Sequence, residues 1–501
     1  DPSPLNLAPH GARLPDMSEP PLSPLDDPRW PLELPAGDMR AMVDAAMRRI
    51  VPHIESLPRQ PAANTAGGAE LARSLVEDLP QQGQPFEVLL DDLFDIIPTS
   101  FTASGPGYLA YVPGGGLFHA AVADLISNAV NRYMGVWAAA PGLAQLEANV
   151  VRWFCQIVGY PDTAGGFLTS GGSLANLSAL VTARRVRLPT DFLSGIIYAS
   201  DQVHHSVVKA ALLAGFPEGN VREIPVDAHF RMDLGILEKR VRADRQAGHT
   251  PFLVVGSAGT TNTGAVDDLA GLAIIAKQEE LWFHVDAAYG GFFALTERAR
   301  PLLAGLERAD SLSLDPHKGL FLPYGNGSLL VKDRSTLAQA HSVSADYMPT
   351  LQEDDDLVDF CSISPELSRP FRGLRAWLPL KMHGVGAFRD ALDEKLDLIR
   401  WITEQLEAME HIEVVAKPQL TVMAFRLHRP GWSLEQINAG TRQLIQHINA
   451  RGHVYLTGTQ LDGRYVIRIC VVSFRTHQDR MEQCLEDIEA SMTGVGAAGE
   501  Q

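Results

Sequence analysis

Cysteine is scarce: the 501 residues hold four, Cys155, Cys361, Cys470 and Cys484, none of them in CxxC spacing. That argues against a disulfide framework or a zinc site, and it suits a reducing compartment. Positive charge is short too, with 42 Lys and Arg against 60 Asp and Glu and a formal net charge of −18. A surface of that sign repels nucleic acid and anionic lipid, so neither is expected as a partner. No apolar run approaches the ~20 residues that span a bilayer. No signal-peptide pattern is visible either, and the two together predict a cytoplasmic protein without a membrane partner. The 46% apolar and 20% charged residues make an ordinary globular composition, in a chain too long for one simple core. Two or three domains are expected.

What is abundant is proline near the start. Residues 1–36 hold ten, which predicts an extended arm or a disordered tail rather than helix or central strand. A helical segment follows over 37–97. Met39, Met42, Val43, Ala46, Met47, Ile50 and Val51 share a helix face up to Pro52, which is expected to end or kink the helix. Two further helices are predicted over 69–79 and 87–97. Helices this short need the main body or another subunit to pack on.

From residue 98 the pattern changes, and a large domain is predicted over 98–375. Gly105-Pro-Gly-Tyr108-Leu-Ala-Tyr111-Val-Pro113-Gly-Gly-Gly116 is a rigid loop whose tyrosines suit a pocket wall. Helices are expected over 117–131 and 143–158, with Trp137 in the break between them. Thr169-Ser170-Gly171-Gly172-Ser173 then opens a long helix, where free N–H groups and the helix dipole make an anion site. Neither GxGxxG nor GK[ST] spacing is present. Short apolar runs at 196–200, 221–226, 252–256, 281–286 and 311–314 alternate with helical patterns. Such alternation means a mostly parallel sheet covered on both faces, here closed by an antiparallel strand over 327–332. Beyond residue 375, strands at 412–416, 421–427, 453–458 and 465–472 with helices at 433–451 and 478–491 predict a smaller α/β domain over 376–495. A tail follows over 496–501.

Two strand ends carry the chemistry. Ser311-Leu-Ser-Leu314 runs into Asp315-Pro-His317-Lys318-Gly319, and Leu281-Trp-Phe-His284-Val-Asp286 runs into Ala287-Ala288-Tyr289. A lysine at the mouth of an apolar sheet is costly to bury as an ammonium and easier to bury as an imine. An acid at one strand end and a lysine at another are what a pyridoxal phosphate site needs: a carboxylate for the ring nitrogen and an amine for the aldehyde. In sheets of this kind the loops at the carboxyl ends of the strands carry ligands, and His204, Thr260, Asp286 and Lys318 all sit there.

Asp201-Gln-Val-His204, His284-Val-Asp286-Ala-Ala288-Tyr289 and Asp315-Pro-His317-Lys318, in this order, resemble the pyridoxal-phosphate-dependent group II amino-acid decarboxylases, aromatic-L-amino-acid decarboxylase among them. The resemblance runs from about Asp38 to Cys484. It implies an α/β aspartate-aminotransferase-like fold (type I), whose large domain has a mostly parallel seven-stranded sheet, with a smaller C-terminal α/β domain and an N-terminal helical segment. It also implies a homodimer with shared active sites. Lys318 would form the Schiff base with the cofactor and Asp286 would keep the pyridine nitrogen protonated. His204 and Ala288 would pack on the two ring faces. Gly171, Gly172 and Ser173 would hold the phosphate, with Leu367 and Ser368 contributing from the partner subunit. Thr260 and His317 would lie near the cofactor, and Tyr111, Trp137 and Arg475 near the substrate. Tyr347 matches the lid tyrosine that returns a proton to Cα in amine-forming members, where aldehyde synthases have phenylalanine.

The implied activity is decarboxylation of an L-amino acid to the amine and CO2, with catalytic Lys318, Tyr347 and His204. No arginine or lysine is evidently placed for a distal carboxylate, which favours an aromatic or other uncharged substrate. Two departures stand out: Gly319 where many relatives have Trp, and Asp315 where Asn is common. An aldehyde synthase or another enzyme of the same fold is the alternative reading, and a scaffold without chemistry is a further one.

Overall fold

The computed structural model describes residues 32–343 and 357–495. The chain makes two compact units, one from the residues up to Leu57 with Ala66–Thr99, the other from Pro58–Thr65 with Ser100 onwards. The first unit contains helices α1 (Ala36–Ser56), α2 (Gly68–Ser74) and α3 (Phe86–Ile96). Pro52 does not stop α1, which continues to Ser56. Arg48 and Arg49 of α1 pair with Glu87 and Asp91 of α3. Helix α2 is shorter than its predicted span and ends at Ser74.

The second unit begins with α4 (Phe118–Val130) and α5 (Pro141–Ile157). Strands and helices then alternate: β1 (Gly165–Thr169), α6 (Gly172–Arg187), β2 (Gly195–Ser200), α7 (His205–Leu213), β3 (Val221–Ile224), α8 (Leu234–Gln246), β4 (Thr250–Ser257), α9 (Leu269–Gln278) and β5 (Trp282–Asp286). Strand β6 (Ser311–Leu314), the short helix α10 (Pro316–Gly319) and β7 (Gly327–Val331) complete a seven-stranded sheet of order β1-β7-β6-β5-β4-β2-β3. Only β7 runs against its neighbours. The inner strands read as near-continuous apolar runs because helices cover both faces; β2, Gly-Ile-Ile-Tyr-Ala-Ser, is buried throughout. Tyr198, Phe252, Phe283 and Leu312 are all within 2% of full burial. Parallel pairing brings the carboxyl ends of β2, β4, β5 and β6 to one edge. In register, Asp286 lies between Ser257 of β4 and Ser313 of β6.

After α11 (Ser335–His341) and α12 (Phe360–Ile363), α13 (Gly373–Ala408) is two helices in one, broken at Gly384 where φ is +69°. A second sheet, all antiparallel, has the order β10-β11-β9-β8. Its strands are β8 (Ile412–Ala416), β9 (Val422–Leu427), β10 (Thr457–Leu461) and β11 (Arg464–Cys470), flanked by α14 (Leu434–Ala450) and α15 (Gln478–Met492). Ile402, Phe425, Leu444, Ile467 and Ile488 pack between them. Strand β10 starts at Thr457 rather than His453, since Leu456 N–H is taken by the Asn449 side chain and His453 by Asp487. Among the described residues no helix is long and apolar enough to cross a membrane.

Candidate active site

At the carboxyl edge of the large sheet lies a cavity of about 380 Å³. Each strand delivers its share through the turn that follows it. After β1 come Gly171, Gly172 and Ser173 at the start of α6; after β2, His204; after β4, Thr260; after β5, Asp286 and Ala288; after β6, His317 and Lys318. The sequence-predicted residues of five separate loops therefore share one cavity. Helix α6 starts without a side-chain cap, so its first-turn N–H groups remain available to an anion. Space is tight here: a Cβ on Gly172 would come 3.1 Å from Ala288 Cβ and 3.2 Å from Asp315 Oδ2.

Pro316 does not merely end β6. It occupies the first position of α10, where its missing N–H costs nothing, and the turn it begins carries Lys318. Lys318 Nζ lies 3.1 Å from Asp315 Oδ2. Burial disfavours the ammonium, but Asp315 and Asp286 outweigh it and raise the lysine pKa above its ordinary value. Burial also works against ionised Asp286, yet Lys318, the Asn176 amide, His204 and His284 hold its pKa below the usual carboxylate range. Asn176 Nδ2, Ser313 Oγ and Ala288 N–H donate to it at 2.9, 3.1 and 3.2 Å. His204 is held neutral chiefly by burial, and so is His317, whose Nδ1 bonds the Asn326 carbonyl at 2.6 Å. Thr260 Oγ1 contacts Thr263 Oγ1 at 2.9 Å and braces the turn after β4.

Arg475, Tyr111 and Trp137 do not line this cavity, nor in this chain do Leu367 and Ser368, which are expected from the partner subunit. Arg475 donates to the carbonyls of Ser104 and Gly115 at 3.0 and 3.2 Å, which clasps the glycine-rich loop. Tyr111 is half exposed, with its carbonyl bonded by Arg468. Trp137 N–H is bound by Asp359 Oδ1, and Ser368 is exposed. Tyr347 lies outside the described residues. Conversely, Asn176 and Ser206 line the cavity without having been singled out. Asn176 stands four residues after Gly172, on the same face of α6 as the phosphate-type turn, and that spacing was the available signal.

The donor set fits pyridoxal phosphate: an amine for an aldehyde, an ionised carboxylate in the same cavity, and an uncapped helix start walled by glycine. Residues 69–428 match the pyridoxal-dependent decarboxylase conserved domain. An aromatic-L-amino-acid decarboxylase of Bacillus atrophaeus is 35% identical over 462 residues, 92% of this chain and 96% of the relative. A phenylacetaldehyde synthase of Petunia hybrida is 29% identical over 84% of this chain and 87% of its own. The crystal structure of Catharanthus roseus tryptophan decarboxylase in complex with L-tryptophan superposes with a TM-score of 0.87 at 28% identity, covering 92% of this chain and 99% of that one. With the type I fold, the cavity and these matches agreeing, the chain belongs to the pyridoxal-dependent decarboxylases, enzymes of the carboxy-lyase class.

Proposed function

We propose that this enzyme decarboxylates an aromatic L-amino acid to its amine and CO2. The observation that carries the reading is a single cavity holding Lys318, Asp286, His204 and the Gly171-Gly172-Ser173 turn. Lys318 would carry the cofactor aldehyde, Asp286 would face the ring nitrogen, His204 and Ala288 would flank the ring, and the α6 start would take the phosphate. Bound there, pyridoxal phosphate supplies an electron-withdrawing ring for the electron pair left when CO2 departs. Asp286, kept ionised against its burial by Lys318, the Asn176 amide and the nearby histidines, would keep a proton on that ring nitrogen. Tyr347 is proposed as the donor of the proton that Cα then needs.

The substrate class follows from what surrounds the cavity. Among the described residues, Lys318 is the only lysine or arginine lining it, and Arg475 is committed to two carbonyls. An acidic side chain would find no further cation among the described residues of that lining, which favours an uncharged one, as the aromatic relatives suggest. A homodimer is proposed as well, supported by Leu125, Ile126 and Val130 exposed on α4. A cytoplasmic location accords with the four free cysteines. The test is product analysis with tryptophan, tyrosine and phenylalanine under air. Amine and CO2 in equal amounts support the proposal; aldehyde with peroxide would replace it by the aldehyde-forming reaction, and no turnover of any of the three would reject the aromatic assignment.

A further inference from the structure

Behind the cavity a line of buried hydrogen bonds joins Asp286 to Trp282, and each donor fixes the next. Because Asp286 is ionised, Asn176 must turn its amide nitrogen towards it; Nδ2 donates to Asp286 Oδ2 and to Ser206 Oγ, both at 2.9 Å. Asn176 Oδ1 then faces His284 Nε2 at 3.0 Å and can only accept, so that nitrogen bears the proton. Burial lowers the His284 pKa to about 4 and keeps the ring neutral. Its Nδ1 is therefore bare and receives the Ser311 hydroxyl proton across 2.8 Å. Ser311 Oγ in turn accepts from the Trp282 indole N–H, which can only donate, at 2.8 Å. A reversed Asn176 would set its oxygen against the Asp286 carboxylate, two acceptors with no proton between them.

The branch through Ser206 returns to the cavity. Its hydroxyl accepts from Asn176 and sends its own proton to His204 Nδ1 at 2.7 Å, where the Ser206 backbone N–H also points at 3.3 Å. Two donors converge on one nitrogen. His204 thus carries its proton on Nε2.

We infer that Asn176 is a positioning residue that joins Asp286 to the buried line: its Nδ2 holds Asp286 as a carboxylate and its Oδ1 sets His284 as the Nε2–H tautomer before any substrate binds, while Ser206 sets His204. Other charges reach the pair as well. Lys318 and His284 face Asp286, while His205, Lys318 and Asp315 face His204, and all of these are common to wild type and the Asn176 variants. The inference rests on the proposed roles of Asp286 and His204 only where the bound cofactor is the reporter, so the first readout omits it.

In cofactor-free protein, ¹⁵N-histidine NMR should show protonated Nε2 and bare Nδ1 on both His204 and His284. Asn176→Ala should turn His284 into a mixture of tautomers; His204, still bonded by the Ser206 backbone N–H, should keep its proton on Nε2 in this variant and in His284→Leu. His284→Gln, whose amide can both donate to Asn176 and accept from Ser311, should keep the wild-type state. In loaded protein the two disruptive variants should move the pH midpoint of the cofactor absorbance by about one unit, a tenfold change in proton affinity, and His284→Gln should not. Should His284→Leu fail to fold, Asn176→Ala reads the same branch. A His284 protonated at Nδ1 in wild type, or a His284 tautomer and midpoint unmoved in Asn176→Ala, would overturn the inference. The expected tautomers together with no cofactor uptake even by wild type would leave the relay standing and reject the cofactor roles instead.

Discussion

Lys318 Nζ stands 3.1 Å from Asp315 Oδ2, while Asp315 Oδ1, buried, has no hydrogen-bond partner among the described residues. At this position the chain carries an acid, and the acid both pairs with the lysine and stands against the start of α6. The pair keeps Lys318 protonated and therefore slow to attack an aldehyde. Asp315→Asn removes that hold while Asp286 still faces the amine. The rate of pyridoxal phosphate uptake, followed by absorbance, should rise near neutral pH, because Asp315 is the first of the charges that raise the lysine pKa. Its rising limb should move to lower pH than in wild type. An unchanged pH profile would show that Asp315 does not govern the amine.

Gly319 is set by packing against Phe292. A Cβ there would lie 2.7 Å from Phe292 Cβ, and Phe292 is fully buried. The space behind the lysine turn is already taken, so no side chain fits without moving the core. Gly319→Ala should destabilise the fold by about 1–3 kcal/mol. Thermal or denaturant unfolding measures it, and a variant as stable as wild type would show that Phe292 yields freely.

His284 makes part of the stability depend on pH. Its folded pKa, lowered to about 4 by burial, lies below the 6.5 of a free histidine. Between those values the unfolded chain binds a proton that the native state refuses, so native stability falls as pH drops from 6.5 towards 4. Above 6.5 the contribution is level. His284→Gln lacks the titrating group, and the stability of wild type relative to this variant should decline across that window by on the order of 2–3 kcal/mol. Urea unfolding at several pH values gives the difference. A constant difference would mean that the ring titrates in the fold as it does in water.

Much of this architecture could be read from the residues themselves. Strand β6 occupies its predicted span, because an apolar run bounded by Pro316 leaves little choice. The loops bearing His204, Thr260, Asp286 and Lys318 follow from the rule that parallel strands present ligands at one edge. Periodicity could not show the partners brought together by tertiary packing. Asn176 meets Asp286 from 110 positions away, and Arg475 meets Gly115 from 360. The same limit separated Arg475 from the cavity: an arginine beside a pocket motif reads as a ligand until its carbonyl partners are known. Strand β10 slipped because side chains of Asn449 and Asp487 claimed the backbone and ring before it.

The covalent attachment point is the most direct test of the whole account. Purified protein loaded with pyridoxal phosphate, reduced with borohydride and digested, should yield one pyridoxyl-labelled peptide, with the label on Lys318. Lys318→Ala should yield none and should lose the absorbance of the bound cofactor. A label on another lysine, or no label on wild type under saturating cofactor, would contradict it.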